Sequence, residues 1–151
     1  GRTRVIVRHG EVLGDLDYTD ARTVAERLRK ELTARRVVTP SHLLAHFLSV
    51  RDAAFGVHEL VAWMHEAMVV ARDAGQLLDP LFERVSLDAL VNERLRWLAR
   101  KRVVWPAHAD TWQRRWSPDV PPTWRHTQGM VSYLAHALAD FAPACTKALP
   151  G

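Results

Sequence analysis

Ala21, Val24, Leu28 and Leu32 recur at helical spacing and predict a helix from about Asp20 to Arg35. Thr19 or Asp20 can cap its first turn, and Arg35 and Arg36 suit the negative end of its dipole. Thr39-Pro40 restarts the chain as N-cap and first helical residue, and Leu43, Leu44, Phe47 and Leu48 give the next helix its buried stripe. Gly56 interrupts the pattern. Val57, Leu60, Val61, Met64, Met68 and Ala71 then describe a longer amphipathic helix ending at Gly75, a residue suited to a left-handed C-cap. Asp79-Pro80 opens a short helical turn, and Ser86 caps a helix whose apolar face is Leu87, Val91, Leu95 and Leu98. Pro106 and the segment S-P-D-V-P-P over 117–122 bracket a short helix expected around Trp112. Thr123 caps a last helix carrying Trp124, Val131, Leu134, Leu138 and Phe141 on one side, with Pro143 ending it. Ahead of all these, R-V-I-V-R from Arg4 to Arg8 reads as a short strand, with Gly10 and Gly14 loosening the backbone after it.

The expected fold is therefore all-α, about five to six helices with a short N-terminal extended segment, in a single domain spanning residues 1–151. An internal echo divides it. T-D-A-R-T-V-A-E-R-L-R from Thr19 aligns with S-L-D-A-L-V-N-E-R-L-R from Ser86, and R-V-V-T-P-S-H from Arg36 aligns with R-V-V-W-P-A-H from Arg102. Two related helical halves, 19–75 and 86–142, follow from that alignment. If the two V-V segments pair as a small strand ladder, each half resembles a winged-helix-like or helix-turn-helix-like unit by topology.

Composition changes the picture little. The chain has 151 residues, 48% hydrophobic and 25% charged, enough to enclose a core without disulfides or metals. A single cysteine, Cys145, rules out an intrachain disulfide framework and a cysteine-based zinc site, which favours the cytoplasm or another reducing compartment. No apolar run approaches the roughly 20 residues of a spanning helix, so no membrane partner is expected. A start at Gly1 rather than Met is expected of a piece of a larger protein.

Charge placement carries more information than the net +4. Between Glu93 and Arg125 lie eight basic residues, Arg94, Arg96, Arg100, Lys101, Arg102, Arg114, Arg115 and Arg125, against three acids, Glu93, Asp110 and Asp119. Trp97, Trp105, Trp112, Trp116 and Trp124 fall in the same stretch. Cationic side chains neutralise phosphates while exposed aromatics stack bases, so this segment is the expected nucleic-acid contact. Its residues are Arg94, Arg96, Arg100, Lys101, Arg102, Arg114, Arg115, Trp105 and Trp116. Tryptophans at spacings of seven and eight more often form the core between helices, with the arginines solvating the outer face or stacking on them.

Two other constellations stand out. Arg8-His9-Gly10-Glu11, directly after an apolar strand, resembles the N-terminal signature of the histidine phosphatase superfamily. That resemblance implies a phosphoryl-accepting His9 assisted by Arg8. It covers about ten residues; no second H-G dipeptide follows a strand, and no further apolar runs supply the parallel sheet of that family. His42 and His46 lie one helical turn apart, and His58 and His65 can share a face of the next helix, so a metal would need further ligands across the interface. His65 and His136, at corresponding places in the two long helices, are expected as buried structural histidines. No cofactor is expected. The leading expectation is a non-enzymatic helical domain contacting nucleic acid through its basic second half. The next is a protein-interaction or assembly module, including a homo-oligomer, and the third is phosphoryl transfer at His9.

Overall fold

The computed structural model describes residues 20–108, 110–115 and 122–147. Two compact units divide the chain, Gly1–Arg36 and Val37–Gly151. In the first, α1 (Ala21–Ala34) is capped by Asp20, whose carboxylate accepts from the backbone N–H groups of Arg22 and Thr23 and from the Thr23 hydroxyl. Those three donors hold the Asp20 carboxyl below its ordinary range, the Thr23 hydroxyl contributing most. Leu28 and Leu32, expected to be covered, are 44% and 67% exposed.

The second unit runs β1 (Val37–Val38), α2 (Pro40–Val50), β2 (Phe55–Gly56), α3 (Val57–Asp73), β3 (Leu77–Leu78) and α4 (Leu81–Arg84). It continues through α5 (Leu87–Arg100), β4 (Val104–His108), β5 (Thr111–Arg114), α6 (Pro122–Phe141) and α7 (Pro143–Thr146). The molecule is mostly helical, with short strands that an all-α reading omits. Local chemistry sets the helix starts. Thr39 caps α2 in a reciprocal box with His42, Ser86 Oγ accepts from Ala89 N–H, and Asp79 accepts from Leu81 N–H to open α4. Gly75 closes α3 at φ 70, where the amides of Gly75 and Gln76 bond the carbonyls of Arg72 and Ala71.

Leu43 to Leu48 of α2 are all buried, so this helix is enclosed on every side, with α6 lying along it and α3 and α5 also in contact. At its centre Phe47 meets Phe55 edge-on at 5.0 Å and lies 5.5 Å from Trp63. Of the expected α3 stripe, Leu60, Val61, Met64, Met68 and Ala71 are buried and Val57 is half-buried, with Trp63 and Ala67 added. His65 and His136 are exposed rather than buried, His65 lying off the α3 stripe and His136 off the α6 stripe of Val131, Ala135 and Leu138.

Two expectations fail. The V-V segments do not pair with each other: Val37–Val38 runs parallel to Leu77–Leu78, whereas Val104 opposes Arg114. Val104–His108 and Thr111–Arg114 pair as antiparallel strands of a hairpin instead of forming a helix around Trp112, with β2 added to give the order β2-β5-β4. Pro40 begins a helix because Thr39 caps it; Pro106 follows Trp105, which has no capping oxygen, and lies among valine, tryptophan and threonine, residues that favour strands. Pro106 also sits on β4, the edge strand, where its missing N–H costs no ladder bond. Pro143 does end α6, and it opens α7 as well.

His46 is buried and stacked on Trp63 at 6.0 Å, and among the described residues neither its Nε2 nor Trp63 Nε1 has a hydrogen-bond partner. Desolvation lowers the His46 pKa, partly offset by a hydrogen bond to the Thr146 backbone. A depressed folded pKa contributes stability above the ordinary value of 6.5, and that contribution declines as pH falls through 6.5 toward the folded value. Melting temperature is therefore expected to drop between pH of about 7.5 and about 5.5, with a smaller drop in His46→Gln. Equal drops in both proteins would contradict this role.

Candidate nucleic-acid interface

α5 is amphipathic by strict placement. Leu87, Leu90, Val91, Leu95 and Leu98 are buried, and the opposite stripe, Ala89, Glu93, Arg96 and Arg100, is exposed. The expected site residues on this helix therefore divide. Arg96 and Arg100 point outward one turn apart. Arg94, Trp97 and Lys101 are half-buried on the flank near the core, Arg94 Nε being buried without a hydrogen-bond partner and Lys101 Nζ lying 6.0 Å from the Trp97 ring.

The end of α5 joins it to the hairpin. Arg102 N–H bonds Ala99 O at 2.9 Å and Val103 N–H bonds Leu98 O at 3.0 Å, a Schellman closure that places Arg102 at φ 55. Glycine ordinarily fills that place, and arginine is strained there. Val103 O then accepts from Arg115 N–H at 2.8 Å, so the residue that follows β5 lies beside the helix terminus. On the outer face of the hairpin Arg115 stacks over the Trp105 ring at 4.8 Å, a diagonal cross-strand pair in which Trp105 is 39% exposed. Gln128 of α6 donates to Arg115 O, tying that point to the bundle.

Arg114 faces the other way. Its guanidinium donates to Leu48 O and Ser49 O, both at 2.8 Å, and pairs with Asp52. Desolvation pulls its pKa below the ordinary arginine range. It thus caps the C-terminal carbonyls of α2 and takes no part in the outer face. Trp116, His9 and Arg8 lie outside the described residues. Arg96, Arg100, Arg102, Trp105 and Arg115 are thus exposed, with Arg115 over Trp105, whereas Arg94 and Lys101 are half-buried and Arg114 is turned inward.

Among the described residues, no group of three or more His, Cys, Asp or Glu has metal-holding geometry. His42 accepts from Thr39 and lies edge-on to Phe141 at 5.3 Å, while His58 and His65 are exposed on α3. No described helix is long and apolar enough to cross a membrane. No protein-family model, curated protein or solved structure matches the chain.

Replacing Arg102 with glycine relieves the left-handed strain. It is expected to raise stability by about 0.5–1 kcal/mol, seen as a higher urea midpoint with unchanged slope. An unchanged or lower midpoint would contradict that account of the turn.

Proposed function

We propose that the second unit is a non-enzymatic nucleic-acid-binding module whose contact surface is the C-terminal end of α5 together with the outer face of the β4–β5 hairpin. The observation that carries this reading is the Arg102 turn. It holds a strained residue at the junction between α5, which carries exposed Arg96 and Arg100, and the hairpin, where Arg115 stacks on Trp105. Cations that outnumber acids between Arg96 and Arg115 favour a polyanion. The strand order β2-β5-β4, with α3 and α5 between the first strand and the hairpin, has the connectivity of a winged helix, and we propose that architecture for the unit. The duplicated halves belong to the same proposal, supported by α1 and α5 each running into an R-V-V segment that continues as a strand.

The test is binding of a labelled oligonucleotide at low salt. Arg100→Ala combined with Arg102→Ala is expected to weaken affinity by about tenfold or more. Absence of binding by the wild type at low salt ends this reading.

A second reading is favoured by different residues. Tyr133 at 70% and Met130 at 40% exposure are neighbours on α6, an apolar surface suited to a protein partner or a second copy of the chain. Mass in solution that rises with concentration, and falls back in Tyr133→Ser, is its expected signature.

A further inference from the structure

The interface also indicates which kind of nucleic acid it takes, an inference that rests on the binding role proposed above. Single strands are held by aromatic faces on which successive bases stack. Among the described residues of α5 and the hairpin no ring is left open for that. Trp97 and Trp112 are half-buried against the core, and Trp105, the exposed one, already carries the Arg115 guanidinium over its ring at 4.8 Å. That stacking instead fixes a planar cation at the surface, a group suited to phosphate oxygens.

Base edges are equally poorly served. A helix that reads a groove does so with polar side chains along its exposed stripe. The exposed residues in the first two turns of α5 are Asp88, Ala89 and Glu93, and the Asn92 amide is engaged with Asp88 O. Two carboxylates there oppose the phosphates lining a groove, which leaves the positively charged end of the helix as the contact. Arg96, Arg100, Arg102 and Arg115 therefore meet backbone. A duplex, with one phosphate charge per about 1.7 Å of axis, offers these cations the densest target.

We infer that the site binds double-stranded nucleic acid through its sugar-phosphate backbone, without reading sequence. The whole chain is titrated against two labelled duplexes of equal length and unrelated sequence, and against one strand of each, at one salt concentration. The two duplex affinities are expected to agree within about threefold and to exceed the single-strand affinities by about fivefold or more. Arg115→Ala is expected to weaken both duplexes by the same factor. A preference of about tenfold or more between the duplexes overturns the inference, as does equal or tighter binding of single strands. Either result leaves the binding role standing. Failure to bind any of the four probes overturns the inference and the binding role together.

Discussion

Phe47→Ala is expected to lower the stability of the second unit by about 3–5 kcal/mol. Phe47 is 2% exposed in the middle of α2, edge-on to Phe55 and against Trp63. Truncation removes the ring's burial and an aromatic pair worth about 0.5–1.5 kcal/mol beyond it, and leaves a cavity that three enclosing helices cannot close. The loss also reaches the interface. Phe55 belongs to β2, which pairs with β5, so the ring contact that is lost is one that holds the hairpin against the bundle. Chemical unfolding with an unchanged slope measures the loss. A cost below about 1 kcal/mol would mean that the centre of the core lies elsewhere.

The next largest effect belongs to Arg114→Ala, expected to cost about 2–3 kcal/mol. The energy lies mainly in the α2 carbonyls. Asp52 is 85% exposed, so its pairing with Arg114 is screened and Asp52→Asn is expected to cost less than about 0.5 kcal/mol. Leu48 O and Ser49 O, by contrast, share one guanidinium nitrogen in a half-buried setting and lose their donor together. Arg114→Lys is expected to recover little, because a single ammonium cannot reproduce the fork that reaches two carbonyls and a carboxylate. Below its melting point, Arg114→Ala is expected to bind nucleic acid within about twofold of wild type, whereas Arg115→Ala binds more weakly at nearly unchanged stability. Two adjacent arginines would then have opposite phenotypes. Equal binding losses in both would contradict the assignment of inner and outer faces.

That contrast also shows where the sequence runs out. The caps at Asp20, Thr39, Ser86 and Gly75 were legible because each depends on residues within a single turn. The α3 and α5 stripes were legible because a 3.6-residue period survives in any context. The hairpin was not, since Pro106 copies Pro40 in the R-V-V-x-P pattern and only the missing cap before it tells them apart. Once the stretch around Trp112 is read as helix, Arg114 and Arg115 count as two equal charges; as strand, alternation sends one inward and the other outward. The same period separates Arg94 from Arg96 on α5. The β1–β3 pairing joins Val37 to Leu77 across a long stretch of chain, and no local pattern announces it. Periodicity likewise marked Leu28 and Leu32 as apolar, but it cannot supply the surface that would cover them.

Salt dependence of duplex binding is the most direct measurement of whether the α5 end and the hairpin act as one phosphate-contacting surface. With Arg96, Arg100, Arg102 and Arg115 each neutralising a phosphate, log K against log salt is expected to fall with a slope of about −3 to −4. Loss of Arg100 and Arg115 together is expected to flatten that slope by about 2. An affinity insensitive to salt, or a slope left unchanged by removing those two arginines, would contradict the account.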